Sequence, residues 1–148
     1  MSRPARRDSP FAPPPLLPRL DARELAAIFA GGALGALARA GVNDALPHHP
    51  GHWPWATFAV NVAGVALLGW GVTRLQERLP LSAYRRPFLG TGVCGALTTF
   101  ATLQLELLRM LDGGRWALAL GYAAASLGCG LAGMLLATNL ARRARLAR

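Results

Sequence analysis

The chain has 148 residues, 53% of them hydrophobic, with a mean hydropathy of +0.30 and a formal net charge of +9 carried by sixteen arginines and no lysine. The length fits one domain, and the charges avoid four long apolar stretches, which argues against an ordinary soluble globule and for a small polytopic membrane protein. The arginines flank those stretches and do not form a stripe with stacking aromatics, so nucleic acid is not the expected partner.

Residues 1–20 hold six of the eleven prolines and four arginines, a composition that predicts a flexible, extended cytoplasmic tail. Arg6-Arg7 resembles a twin-arginine export signal, but Pro13-Pro14-Pro15 follows and not an apolar run with a small-residue cleavage site, so no cleaved signal is expected. The transmembrane domain is expected over residues 21–148.

The first apolar segment runs from about Glu24 to Ala45 and carries Gly31 and Gly35, a small-xxx-small pair that lets helix backbones approach closely in lipid. Arg39 is its one interior charge, read either as snorkelling to the far interface or as a cation at the mouth of an anion path. The loop after it holds His48, His49 and His52 among prolines; prolines break helical ligand spacing, so a solvated loop is preferred to a metal site.

The second segment runs from about Trp53 to Gln76, with Trp53, Trp55 and Trp70 suited to interfacial belts. Asn61 is an amide deep in this run and is expected to face a partner helix or a cavity. The third segment, about Pro87 to Met110, contains Gly90, Gly92 and Gly95, then Thr98, Thr99 and Thr102, and ends near Glu106. Lipid punishes unsatisfied backbone groups, so this density of glycine and threonine predicts a helix broken near its middle that lines a polar path. Glu106 and Arg109, three apart, are also spaced for a local ion pair. The fourth segment, about Trp116 to Leu140, places Tyr122 and Ser126 on one face, where they either form a hydroxyl track or bond back to their own helix. Cys94 and Cys129 lie inside apolar segments without metal or redox spacing and read as small buried side chains.

Four spans put both termini and the middle loop on one side. That side carries thirteen arginines, and the other carries only Arg109 and Arg115, with Arg39 inside a span. The bias predicts cytoplasmic termini. No catalytic constellation is present, so an enzyme is not expected. What the polar positions offer is donors: the Asn61 amide, hydroxyls at Thr98, Thr99, Thr102, Tyr122 and Ser126, and the positive ring edge of Phe100. Such donors can replace the water shell of a small anion, while carbonyls freed at the break can hold a hard monovalent cation.

At these residues the sequence resembles the CrcB/Fluc fluoride channel family. Gly31-Gly32-Ala33-Leu34-Gly35-Ala36 with Arg39, Thr57 to Gly69 with Asn61 and Gly64, Gly92 to Phe100 followed by Glu106, and Tyr122 with Ser126 stand in the family's order and spacing. The resemblance covers about Gly31 to Leu140. It implies an all-α membrane protein of four transmembrane helices, assembling as a dual-topology antiparallel dimer in the cell (inner) membrane with two fluoride pores. It implies a structural, untransported sodium ion held by backbone carbonyls of Gly95 and Thr98. It implies a fluoride pathway past Asn61, Phe100, Thr102, Leu103, Tyr122 and Ser126, with Arg39 and Glu106 at a pore mouth or in structural roles. Two residues depart from the family pattern: Ala101 stands where a serine is usual, and Leu103 where a second phenylalanine is usual. The arginine bias also sits poorly with a chain that inserts both ways, so a fixed orientation with an oppositely oriented relative as partner stands beside the homodimer. A proton-coupled small multidrug exporter and a non-transporting assembly subunit are the alternatives; the exporter lacks the central membrane carboxylate that its class needs.

Overall fold

The computed structural model describes residues 21–49, 51–78 and 84–146. The tail expected over residues 1–20 lies outside the described residues, as does the middle of the arginine-rich loop before the third span. Helix α1 spans Ala22–Ala45, α2 Trp55–Arg78, and α5 Trp116–Leu146. The third span is made of two helices, α3 over Pro87–Leu97 and α4 over Phe100–Asp112. All four spans are long and apolar enough to cross a membrane, and the described residues contain no strand. The chain is therefore an all-α, multi-pass membrane protein.

Local chemistry explains the helix ends. The Asp21 carboxylate caps α1 by accepting the Arg23 amide at 2.9 Å, one of the orphan donors at a helix start. The second helix starts at Trp55, two residues later than the apolar run suggests, because Pro54 suits a helix entrance and its carbonyl accepts the Phe58 amide at 3.0 Å. Between α4 and α5 the chain turns in three residues. Gly114 adopts φ 71°, a left-handed conformation that glycine tolerates best, and the Arg115 amide reaches back to the Met110 carbonyl at 2.8 Å.

Glycine holds α1 against α3. A Cβ added at Gly31 would strike the Phe88 carbonyl, one at Gly35 the Val93 carbonyl, and one at Gly92 the backbone of Ile28 and Gly31. The two backbones are thus in direct contact, the arrangement that packing-driven association in lipid favours. Much of α3, Pro87–Cys94, is a wider π-helix, and the Gly95 amide reaches back five residues to the Gly90 carbonyl. Helix α2 lies along α5, where Gly69 sits against the Met134 carbonyl and Gly133 faces Val62 and Ala66. Large apolar side chains such as Phe29, Leu37, Leu127 and Leu136 point outward, as lipid-facing positions do.

Candidate functional site

The helical ladder stops inside the membrane. Thr98 and Thr99 both adopt extended backbone, at ψ 151° and 115°, and helix resumes at Phe100. Four side-chain contacts brace this interruption. The Thr99 amide donates to Asn61 Oδ1 at 2.8 Å, and Asn61 Nδ2 donates back to the Thr99 carbonyl at 3.1 Å. Thr99 Oγ1 caps α4 by accepting the Thr102 amide at 3.2 Å. The Thr98 hydroxyl donates to the Cys94 carbonyl at 2.9 Å. Gly64 makes the room: a Cβ there would collide with the Thr98 methyl.

The break leaves the last carbonyls of α3 and that of Thr98 without helical donors. In a continuous helix the Thr99 amide would bond the Gly95 carbonyl and the Thr102 amide the Thr98 carbonyl. Here the first amide goes to Asn61 and the second to Thr99 Oγ1. Gly95 and Thr98 therefore each lose the donor that helical geometry would supply, and both line a cleft of about 140 Å³ with Gly64, Leu68 and Gly90.

A second polar cluster lies further along α4. Glu106, only 6% exposed, accepts the Thr57 hydroxyl at 2.6 Å on Oε1 and the Tyr122 hydroxyl at 2.7 Å on Oε2. Its hydrogen bonds therefore run to two other helices, and not to Arg109 as the local spacing allowed. Tyr122 is fully buried, and Trp53 packs edge-on against it with ring centroids 5.3 Å apart. Trp53 thus turns inward, while Trp55 and Trp70 are exposed as interfacial residues are. Thr57 is the partner that the sequence reading passed over. Its spacing of four from Asn61 puts both on one face of α2.

The remaining expected residues divide. Thr102 belongs to the break, where its Oγ1 accepts the Thr99 hydroxyl at 3.0 Å. Leu103 packs against the core of Met110, Ala119 and Tyr122. Phe100 is 72% exposed and points away from that core. Ser126 Oγ is buried without a hydrogen-bond partner, as is Arg39 Nε. Arg39 lies one turn beyond Gly35, whose packing partners are the backbones of Val93 and Leu97. Tyr122 donates its hydroxyl across to Glu106 on α4.

A family model described as "CrcB-like protein, Camphor Resistance (CrcB)" matches residues 26–138, which include all of these positions. The chain belongs to the CrcB family. Among its CrcB relatives, "Fluoride-specific ion channel FluC 1" of Mycobacterium bovis is 56% identical over 89% of this chain and 100% of the relative. "Fluoride-specific ion channel FluC 1" of Mycolicibacterium paratuberculosis is 56% identical over 86% of this chain and 97% of the relative. "Fluoride-specific ion channel FluC 2" of Nocardia farcinica is 43% identical over 87% and 92%. These CrcB proteins carry the names of ion channels and not of enzymes.

Proposed function

We propose that this chain forms a passive, fluoride-specific channel that lowers cytoplasmic fluoride by efflux through pores in a dimer in the cell (inner) membrane. The observation that carries the proposal is the braced interruption at Thr98–Thr99. A broken helix in lipid costs several kcal/mol for each polar group left unpaired. The sequence spends Asn61, Thr98 and Thr99 on holding the break open, when a continuous helix would need none of them. The names of the CrcB relatives point to the ion.

Fluoride is small and strongly hydrated, so a pathway must offer donors in place of water. Asn61 uses one N–H on the Thr99 carbonyl and keeps its second, since an amide nitrogen carries two. Thr102 accepts the Thr99 hydroxyl and retains its own proton for donation. Thr57 and Tyr122 direct their hydroxyls at Glu106, so donation to an anion there requires exchange with the carboxyl group. Phe100 would present its ring edge at an interface between chains, which accounts for its exposure in one protomer.

Sodium fits the same break. The Gly95 and Thr98 carbonyls, deprived of their helical donors, are hard oxygen ligands, and these two residues would hold the ion. When bound, sodium supplies a positive charge that offsets clustered carbonyl dipoles. Gly95 is exposed, and a Cβ there would meet only the Gly90 carbonyl at an ordinary 3.8 Å. Nothing inside the protomer requires glycine at this position, which supports close approach by a second chain.

The partner is either a second copy in the opposite orientation or an oppositely oriented relative. The thirteen-to-two arginine distribution favours a fixed orientation with cytoplasmic termini. Fluoride-electrode efflux from liposomes, with and without sodium, tests the function. Fluoride release without chloride release is expected. Drug-driven proton flux would instead establish an exporter, and no flux of any ion an assembly subunit.

A further inference from the structure

Positive-inside topology leaves Arg109 and Arg115 as the two arginines on the side opposite the termini. Both line one cleft. A cavity of about 180 Å³ is walled by His48, Gly51, Glu106, Arg109, Met110 and Arg115. A second, of about 220 Å³, shares His48, Glu106 and Arg109 and continues inward to Thr57 and Thr102. The two cavities share three lining residues and together run from Arg115 past the Glu106 carboxyl to Thr57 and Thr102.

The local fold brings these cations together deliberately. The glycine turn at Gly113–Gly114 reverses the chain so that the end of α4 and the start of α5 face one opening. Gly51, at φ 87°, lets the Arg115 guanidinium lie directly against the loop, since any Cβ there would occupy the guanidinium's place. Arg115 also sits at the start of α5, where the helix dipole disfavours a cation. Arg109, in the last turn of α4, is in the favourable place. The carboxyl of Glu106 directs its hydrogen bonds at Thr57 and Tyr122 and not at either guanidinium. Asp44 and Asp112 are exposed and line neither cavity.

We infer that Arg109 and Arg115, with His48 between the two cavities, form an anion-collecting antechamber that concentrates fluoride before it meets Thr57 and Thr102. The inference rests on the channel reading above and adds a step that sets the rate at low fluoride. Two guanidiniums against the one Glu106 carboxyl leave the cleft net basic, and clefts with one predominant sign of charge raise local counter-ion concentration and on-rates by about ten-fold or more. The effect is lost when salt shortens the screening length to about 3 Å near 1 M.

Single-channel recording of the full-length protein in planar bilayers provides the test. In about 10 mM fluoride with a neutral osmolyte, the screening length is roughly 30 Å. There the double substitution Arg109→Gln with Arg115→Gln is expected to cut conductance at least three-fold, while wild type and variant converge near 1 M salt. Arg109→Lys with Arg115→Lys keeps the charge and is expected to stay within two-fold of wild type, which separates charge from packing. Arg142→Gln with Arg143→Gln removes the same charge from residues that line neither cavity and serves as the control. Equal conductance of mouth variant and control at low fluoride overturns the inference, as does a Lys variant that loses as much as the Gln variant. A wild-type protein that passes no fluoride overturns the channel reading and the antechamber together, and that record distinguishes the two failures.

Discussion

A side-chain amide inside a membrane span has to be satisfied, and Asn61 satisfies itself on the backbone of Thr99 through both its ends. Replacing it by leucine removes a donor and an acceptor at once and strands the Thr99 amide and carbonyl. Each stranded backbone group costs about 1–3 kcal/mol, so Asn61→Leu is expected to lower the unfolding temperature in detergent and to reduce fluoride efflux at least ten-fold. Phe100→Ala makes the contrasting case. Its ring is 72% exposed in the protomer, so the folded subunit is expected to survive while efflux falls strongly. Thr57→Val and Tyr122→Phe each uncover one oxygen of the buried Glu106. Because the two hydroxyls serve one carboxyl group, their effects on stability are expected to be non-additive in a double-mutant cycle. At this scale the sequence was partly legible. Asn61 announced itself as an amide in an apolar run. Thr57 did not, since a threonine at a helix start is unremarkable until its spacing from Asn61 is set beside a buried acid. The Glu106–Arg109 pair was suggested by helical spacing, but a carboxyl that turns into the bundle meets Thr57 and Tyr122 and not the solvent-facing arginine.

Among the elements, the third span is the one whose course the composition foretold. Glycines at 90, 92 and 95 followed by threonines at 98 and 99 predict a weak ladder with hydroxyls ready to cap it, and the chain leaves helical geometry at those two threonines. The small-residue pair of α1 likewise meets α3, with Gly31 and Gly35 buried against its carbonyls. The π-helical course of Pro87–Cys94 was not legible, because one extra residue per turn leaves no periodic signature in eight residues. Nor was the packing of Leu103 against the cluster of Met110, Ala119 and Tyr122. The α1–α3 contact gives a paired prediction. Gly35→Ala drives a methyl into the Val93 carbonyl and the Leu97 amide, which are backbone and cannot rotate away. Overpacking of this kind costs about 1–3 kcal/mol. Gly41→Ala on the same helix meets nothing within 4 Å and is expected to stay within about 0.5 kcal/mol. Steric-trap or thermal unfolding measurements in detergent would read the difference.

For the whole molecule, the arginine distribution and the exposed break residues bear on assembly. Thirteen arginines on one side against two on the other is a strong orientation signal. Phe100 and Gly95 are both exposed in one chain, as the proposed dimer would have them. Expressed alone with a terminal tag, the chain is expected to display that tag on the cytoplasmic face only. Fluoride-conducting homodimers with tags on both faces would show instead that the chain inserts both ways and needs no relative.

The central claim is that the interruption at Thr98–Thr99 exposes polar atoms to fluoride and not merely to neighbouring helices. Fluoride efflux from liposomes at matched protein density, compared between wild type and Asn61→Leu, tests it most directly. Rapid fluoride-selective release by wild type with at least a ten-fold loss in the variant is predicted; equal release by both would contradict it.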